Sequence, residues 1–320
     1  MPQIDLPLEE LYAYQGRNPR PDDFDAYWNR ALEEMRRVDP QITMELAWFQ
    51  SPIAECFDLW FTGVGGSRLH AKYLRPKHVE GPHPGAVLFH GYSWHSGEWS
   101  DKLGLVAEGF SVLALDVRGQ GGPSEELGGY RGTTFYGHII RGVDDPDPDK
   151  LLYRQIYLDT AQAAGILMDM PEVDPDRVIA SGWSQGGALT LACAALEPRI
   201  KMAFPVYPFL CDWKRVWEMD LAKSAYQALR DYFRMFDPRH EREDWFWNKM
   251  GYIDIQHLAP RIRAEVVMAT GLMDDICPPS TQFAAFNKIQ SKKEVVIYPD
   301  YTHEGLPGFN DRMLETIRGL

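Results

Sequence analysis

Apolar and polar positions alternate with period two between residues 42 and 74, in the runs MELAWF, CFDLWFTG and RLHAKYLRP. Such alternation predicts half-buried strands, here an antiparallel meander at the edge of a larger sheet. Further on the apolar runs become continuous, at 85–92, 110–116, 178–181, 202–207, 265–270 and 294–298. Continuous runs of that length, rich in valine and isoleucine, predict strands covered on both faces. Helical segments are expected between them at 102–108, 152–170, 185–196 and 280–289, with a turn at 171–176 leading into the third run. Strands alternating with helices predict a mostly parallel central sheet with helices on both faces. Ahead of the meander, Phe24, Trp28, Leu32 and Met35 recur at helical spacing, so a helix capped by Asp22 or Asp23 is expected to run through Arg37. Residues 123–152 are polar and irregular, and their DDPDPDK run reads as a solvated loop.

One segment, 210–257, interrupts the alternation. It is helical in pattern and rich in aromatics: Trp213, Trp217, Tyr226, Tyr232, Phe233, Phe236, Trp245, Phe246 and Trp247. Two readings stand side by side, a cap that shapes a substrate pocket and a surface for self-association. The whole chain, 1–320, reads as one α/β unit carrying an N-terminal extension over 1–40 and this insertion.

A formal charge of −13 argues against non-specific binding to nucleic acid or an anionic membrane. No apolar run is long enough to span a bilayer, and MPQIDLPLEELYAY lacks the basic and apolar regions of a secretory signal. Cys56, Cys193, Cys211 and Cys277 are scattered, with no C-x-x-C pair and no zinc-like spacing. A reduced, cytoplasmic protein is expected, without metal or cofactor.

The third continuous run ends in Gly182-Trp183-Ser184-Gln185-Gly186 and passes directly into a small-residue helix. Strand, tight turn and helix are the setting of a nucleophile elbow, where flanking glycines are required because the two backbones nearly touch. The run 265–270 is followed by Gly271-Leu272-Met273-Asp274-Asp275, and the run 294–298 by a loop holding His303-Glu304. Serine, acid and histidine in that order, each after a parallel strand, match the arrangement of α/β hydrolases. Ser184 is the expected nucleophile and His303 its base. Asp274 is the preferred acid because it comes first after the turn, with Asp275 as the alternative. The amides of Gln185 and Tyr92 are expected to stabilise an oxyanion. His90 is read as orienting its loop, direct chemistry being the other option. Arg118, in Arg118-Gly119-Gln120, is read as a cross-brace to a carboxylate. Glu304 is either a partner in the histidine loop or simply exposed.

These residues resemble the acetyl xylan esterase and cephalosporin C deacetylase group of carbohydrate esterases. The likeness covers nearly the whole chain. It rests on Arg118-Gly119-Gln120, on Gly182 to Gly186, on His303-Glu304, on Pro208-Phe209-Leu210-Cys211-Asp212, on the run 271–287 and on the segment 21–28. The resemblance implies an α/β-hydrolase fold and deacetylation of small esters, including acetylated xylo-oligosaccharides and cephalosporin C. It also implies a cytoplasmic homohexamer, a trimer of dimers whose sites face an interior cavity. By it, Ser184, Asp274 and His303 take the catalytic positions and Tyr92 and Gln185 the oxyanion positions. Trp183 departs from the small residue of many members, which bears on pocket dimensions and acyl preference. A serine peptidase or thioesterase on the same fold, and a non-catalytic hydrolase-fold scaffold, are the rival readings.

Overall fold

The computed structural model describes residues 4–128 and 138–320, so part of the expected irregular stretch at 123–152, namely 129–137, lies outside the described residues. Two helices, α1 (Leu8–Ala13) and α2 (Phe24–Arg36), precede the meander β1 (Thr43–Leu46), β2 (Ala54–Thr62) and β3 (Arg68–Pro76). The alternating region runs β4 (His83–Phe89), α3 (Leu103–Ala107), β5 (Ser111–Leu115), α4 (Leu152–Met168), β6 (Val173–Trp183), α5 (Gln185–Leu196) and β7 (Met202–Val206). The insertion supplies α6 (Trp213–Glu218), α7 (Gln227–Phe236), α8 (Glu243–Gly251) and α9 (Ile255–Leu258). The chain closes with β8 (Glu265–Gly271), α10 (Pro279–Lys288), β9 (Lys293–Tyr298) and α11 (Phe309–Ile317).

The strands form one sheet in the order β1-β2-β3-β5-β4-β6-β7-β8-β9. Pairings from β1 to β5 are antiparallel, and every pairing from β5 through β4 to β9 is parallel. Chain order reverses around β4, which lies between β5 and β6. In open α/β sheets such a reversal leaves a crevice at the carboxyl ends of the strands.

Because successive strand residues face opposite ways, the sheet carries two apolar layers. Val87, Leu113 and Ala180 pack on one side with α2, α4 and α5, while Ala86, Val112 and Ile179 pack on the other with α3 and α11. The helix α5 is buried all round, since its small residues let it lie against both α4 and the sheet.

Several sequence expectations need correction. Around the run MELAWF the strand is only four residues long, all exposed, at the edge of the sheet. The expected turn at 171–176 is already strand from Val173: β6 begins early, with a register shift against β4 between His83 and Gly85. Asp23 occupies the N-cap of α2 but does not cap it, and its carboxylate instead accepts the Tyr252 hydroxyl at 2.5 Å. The short helices α1 and α11 lie outside the elements that the sequence pattern predicts.

The aromatics of the insertion turn mostly inward. Trp213, Tyr226, Tyr232, Phe233, Phe246 and Trp247 are buried and Trp217 is half-buried, leaving Phe236 and Trp245 at the surface. The N-terminal extension clasps this unit. Asp212 accepts the Tyr14 hydroxyl at 2.8 Å and the amides of Arg17 and Asn18 at 2.9 and 2.8 Å. His257 reaches the carbonyls of Asn18 and Pro19.

Candidate active site

The turn from β6 into α5 is as tight as the motif requires. A Cβ on Gly182 would lie 2.5 Å from the backbone of Gly186, and one on Gly186 would lie 2.2 Å from the carbonyl oxygen of Phe89. Ser184 itself sits at φ 59°, ψ −118°, a region that side chains other than glycine rarely occupy. Its backbone is held there from three sides: its amide donates to Val206 O, and its carbonyl accepts from Ala188 N and Phe209 N, each at 3.0 Å.

Two other loops meet the serine. Leu272 N donates to Tyr298 O and Met273 N to Tyr301 O, both at 3.0 Å, which zips the loop after β8 to the loop after β9. Gly271 permits this approach, because a Cβ there would lie 2.3 Å from Tyr301 O. The result is a line of hydrogen bonds. His303 Nε2 lies 2.9 Å from Ser184 Oγ, and His303 Nδ1 lies 2.8 Å from Asp274 Oδ2. Asp274 is fully buried, and its other oxygen accepts the amides of Ile276 and Cys277 at 2.9 and 2.8 Å. With Oδ2 accepting, Nδ1 carries the proton and Nε2 is free to accept from the serine. Asp275 points elsewhere, to Lys223 at 2.5 Å, so Asp274 is the acid in contact with the histidine.

Glu304 is exposed and accepts the Thr302 amide and hydroxyl at 3.0 and 2.9 Å, bonds that hold its carboxyl below the usual range. It shapes the turn before His303 and does not touch the imidazole. Tyr207, which sequence reasoning missed, lies with its ring centroid 4.4 Å from that of His303. Its φ of 31° at the end of β7 brings it there. Trp183 meets Tyr207 edge-on at 5.7 Å and lines a cavity of about 570 Å³ with Trp94, His95, Lys102 and Met313, on the α3–α11 side of the elbow.

Gln185 N is the first amide of α5 and has no intrahelical acceptor. Tyr92 N belongs to the loop after β4. His90 fixes that loop: its Nε2 accepts from Val117 N at 3.0 Å, so its Nδ1 donates to Gly91 O at 2.7 Å. Burial pulls its pKa down, keeping it in this neutral form. Phe209 packs on the Tyr92 ring at 5.8 Å, and the Tyr92 hydroxyl accepts from His138 N. Phe209, just ahead of the insertion, therefore buttresses the oxyanion loop, and the insertion buttresses the acid loop through Lys223.

Arg118-Gly119-Gln120 braces the site from behind. Arg118 forms a buried two-pronged pair with Asp159, both contacts at 2.6 Å, and donates to Val64 O. Gly119 turns the chain at φ 65°. Gln120 then reaches the Ser93 amide and the Gln185 side chain. The sequence shows no metal-ligand spacing, yet the fold groups Asp274, Cys277 and His303, whose donor atoms lie within 4.8 Å of one another.

A sheet with this order of strands, an elbow serine, and an acid and a histidine on the loops after its last two strands define an α/β hydrolase. Residues 1–319 match the acetyl xylan esterase family. The chain belongs to that family. It is 59% identical to acetyl xylan esterase 1 from Thermoanaerobacterium sp. JW/SL YS485, with 99% of each chain covered and a TM-score of 0.97. Against an acetyl xylan esterase from Paenibacillus sp. R4 it is 35% identical, covering 98% of this chain and 99% of that one, with a TM-score of 0.93. Against acetyl esterase Axe7A of Xylanibacter ruminicola it is 27% identical over 302 residues, 92% of this chain. It spans only 65% of the length of that relative.

Proposed function

We propose that the protein is a serine carboxylesterase that removes acetyl groups from small acetylated substrates through an acyl-enzyme. The observation that carries this is the unbroken line Ser184–His303–Asp274 at 2.9 and 2.8 Å. Family membership supplies the acetyl ester as substrate. In this reading His303 Nε2 takes the Ser184 proton as Oγ attacks the acetyl carbonyl carbon. The oxyanion that forms is met by the amides of Tyr92 and Gln185, each donor contributing about 3 kcal/mol where such groups have been removed elsewhere. Asp274 keeps Nδ1 protonated and stabilises the imidazolium. The imidazolium returns its proton to the departing alcohol, and water repeats the sequence to release acetate.

Acetylated xylo-oligosaccharides and the acetyl ester of cephalosporin C are the substrates we propose by family likeness. The test is a panel of p-nitrophenyl acetate, a peptide anilide, an acyl-CoA and acetylated xylo-oligosaccharides, read as rate and released acetate. Ester cleavage should dominate and vanish in Ser184→Ala. Faster anilide or thioester cleavage would select the peptidase or thioesterase reading instead, and activity surviving the substitution would remove Ser184 as nucleophile.

We further propose a cytoplasmic homo-oligomer, a hexamer built as a trimer of dimers. The exposed apolar side chains of Met44, Leu46 and Trp48 on the edge of the sheet support a self-association surface. The four cysteines, all buried and unpaired, suit a reducing compartment. Light scattering that reports a monomer at working concentration would refute the assembly, and fractionation of the native host would test the location.

A further inference from the structure

Cys277 lies in the loop after β8 and is fully buried. Its thiol faces the Ser184 hydroxyl, and burial pushes its pKa well up, so it rests as a neutral thiol. The proposed ester chemistry makes no use of its sulfur. Yet that sulfur, a carboxylate oxygen of Asp274 and a ring nitrogen of His303 all lie within 4.8 Å of one another. They come from two loops that the backbone bonds of Leu272 and Met273 hold together.

Sulfur, nitrogen and oxygen converging on one point are the donor set of a tetrahedral zinc site, with bonds of about 2.3 Å to sulfur and about 2.0–2.2 Å to nitrogen and oxygen. Ligands at those lengths stand about 3.5 Å apart, so donors up to 4.8 Å apart need to close in by about 1.3 Å at most. We propose that Asp274, Cys277 and His303 form a latent site for a thiophilic divalent cation, represented by Zn²⁺, and that its occupation inhibits the enzyme. The ion replaces the thiol proton, which leaves to solvent, and the Nδ1 proton of His303, which moves to Nε2 as the ring changes tautomer; no group changes oxidation state. A water or the Ser184 oxygen completes the four ligands. The thiolate selects Zn²⁺ over Mg²⁺ and Ca²⁺, which prefer oxygen alone. Of the three side chains only that of His303 is exposed, to 21%, so the ion arrives past the imidazole and engages the ring on which Ser184 depends.

Inhibition rests on the proposed function, whereas binding is read without turnover. Chelator-stripped full-length protein is titrated with ZnCl₂ and with MgCl₂ in a calorimeter, as wild type, Ser184→Ala, Cys277→Ala and Cys277→Ser, each checked for native circular dichroism. One Zn²⁺ should bind per chain in the wild type and in Ser184→Ala, and affinity should fall at least about tenfold in either cysteine variant. Magnesium should give no binding heat. Cobalt added in place of zinc should produce a sulfur-to-metal charge-transfer band in the wild type that both cysteine variants lack. Hydrolysis of p-nitrophenyl acetate by the wild type should fall with Zn²⁺ and recover with EDTA, and the inhibition constant should rise at least about tenfold in Cys277→Ala, measured against its own zinc-free rate. Zinc affinity unchanged by both cysteine substitutions, absence of zinc binding in the wild type, or equal binding of magnesium would each overturn the proposal. Zinc binding by a protein without esterase activity would leave the site standing and remove the functional reading alone.

Discussion

Gln120 and Gln185 face each other amide to amide, Gln120 Nε2 donating to Gln185 Oε1 at 2.8 Å and Gln185 Nε2 donating to Gln120 Oε1 at 3.0 Å. Gln120 Oε1 also accepts the Ser93 amide at 2.9 Å, and Gln185 Oε1 the Tyr153 hydroxyl at 2.7 Å. One side chain thus joins the loop carrying Tyr92 to the start of the helix behind Ser184. The two amides assigned to the oxyanion hole are spaced by this pair.

Gln120→Ala should therefore lower kcat more than it changes KM, since the spacing matters most when charge develops on the oxygen. A loss of about ten- to a hundredfold in kcat is expected, about 1.4–2.7 kcal/mol of transition-state stabilisation. Steady-state kinetics on p-nitrophenyl acetate separate the two constants. A change confined to KM would show that Gln120 only helps to hold substrate.

The pair Arg118–Asp159 bears on stability. Burial pushes the Asp159 carboxyl up, and the Arg118 guanidinium only partly pulls it back. Asp159→Ala would take the carboxylate away from a guanidinium that is 3% exposed. Losses of about 3–5 kcal/mol are typical when one member of a buried pair is removed. The urea midpoint should fall accordingly with an unchanged slope. A midpoint within error of the wild type would mean that the other partners of the arginine, Val64 O among them, satisfy it.

Acid sensitivity is expected from His257. Its Nε2 donates to Asn18 O and Pro19 O, and burial pushes its pKa down to about 3. Between that value and the ordinary pKa near 6.5 the unfolded chain binds more protons than the folded one, so stability rises with pH across this window. The contribution is complete above about pH 6.5 and is lost as pH falls toward 3. His257→Gln keeps a donor for the two carbonyls without the titration. About 2 kcal/mol of the wild-type loss between pH 7 and pH 5 should disappear in that variant, as 1.5 pH units at about 1.4 kcal/mol each require. Equal losses in both proteins would place the sensitivity in another buried group, such as His138, whose pKa burial lowers to about 4.

The parallel core and the elbow were legible because their signals are local. Apolar runs mark covered strands, and Gly182 and Gly186 mark a contact that excludes any side chain. Order along the chain then selected Asp274 and His303. The sequence preferred Asp274 and kept Asp275 as the alternative, and the contact of Asp274 with His303, with Asp275 turned to Lys223, decides between them. Cys277 was invisible as a ligand because His303 lies on a second loop, far off in the sequence, that only the fold brings beside it. The strand β1 is the antiparallel edge that the alternation predicts, but its four residues are all exposed, because alternation alone does not say whether a second layer covers a strand. Tyr207 carried no signal, since its place beside His303 follows from one positive φ at a strand end.

The account turns on Ser184 being the atom that becomes acylated, and its most direct measurement is covalent trapping. The protein is treated with the esterase inactivator diethyl p-nitrophenyl phosphate, digested, and its peptides weighed by mass spectrometry. One diethyl phosphoryl group per chain is expected on the peptide containing Ser184, formed in parallel with loss of activity, absent in Ser184→Ala and far slower in His303→Ala. Labelling of another residue that tracks the loss of activity, or a fully active protein that carries the label on Ser184, would contradict it.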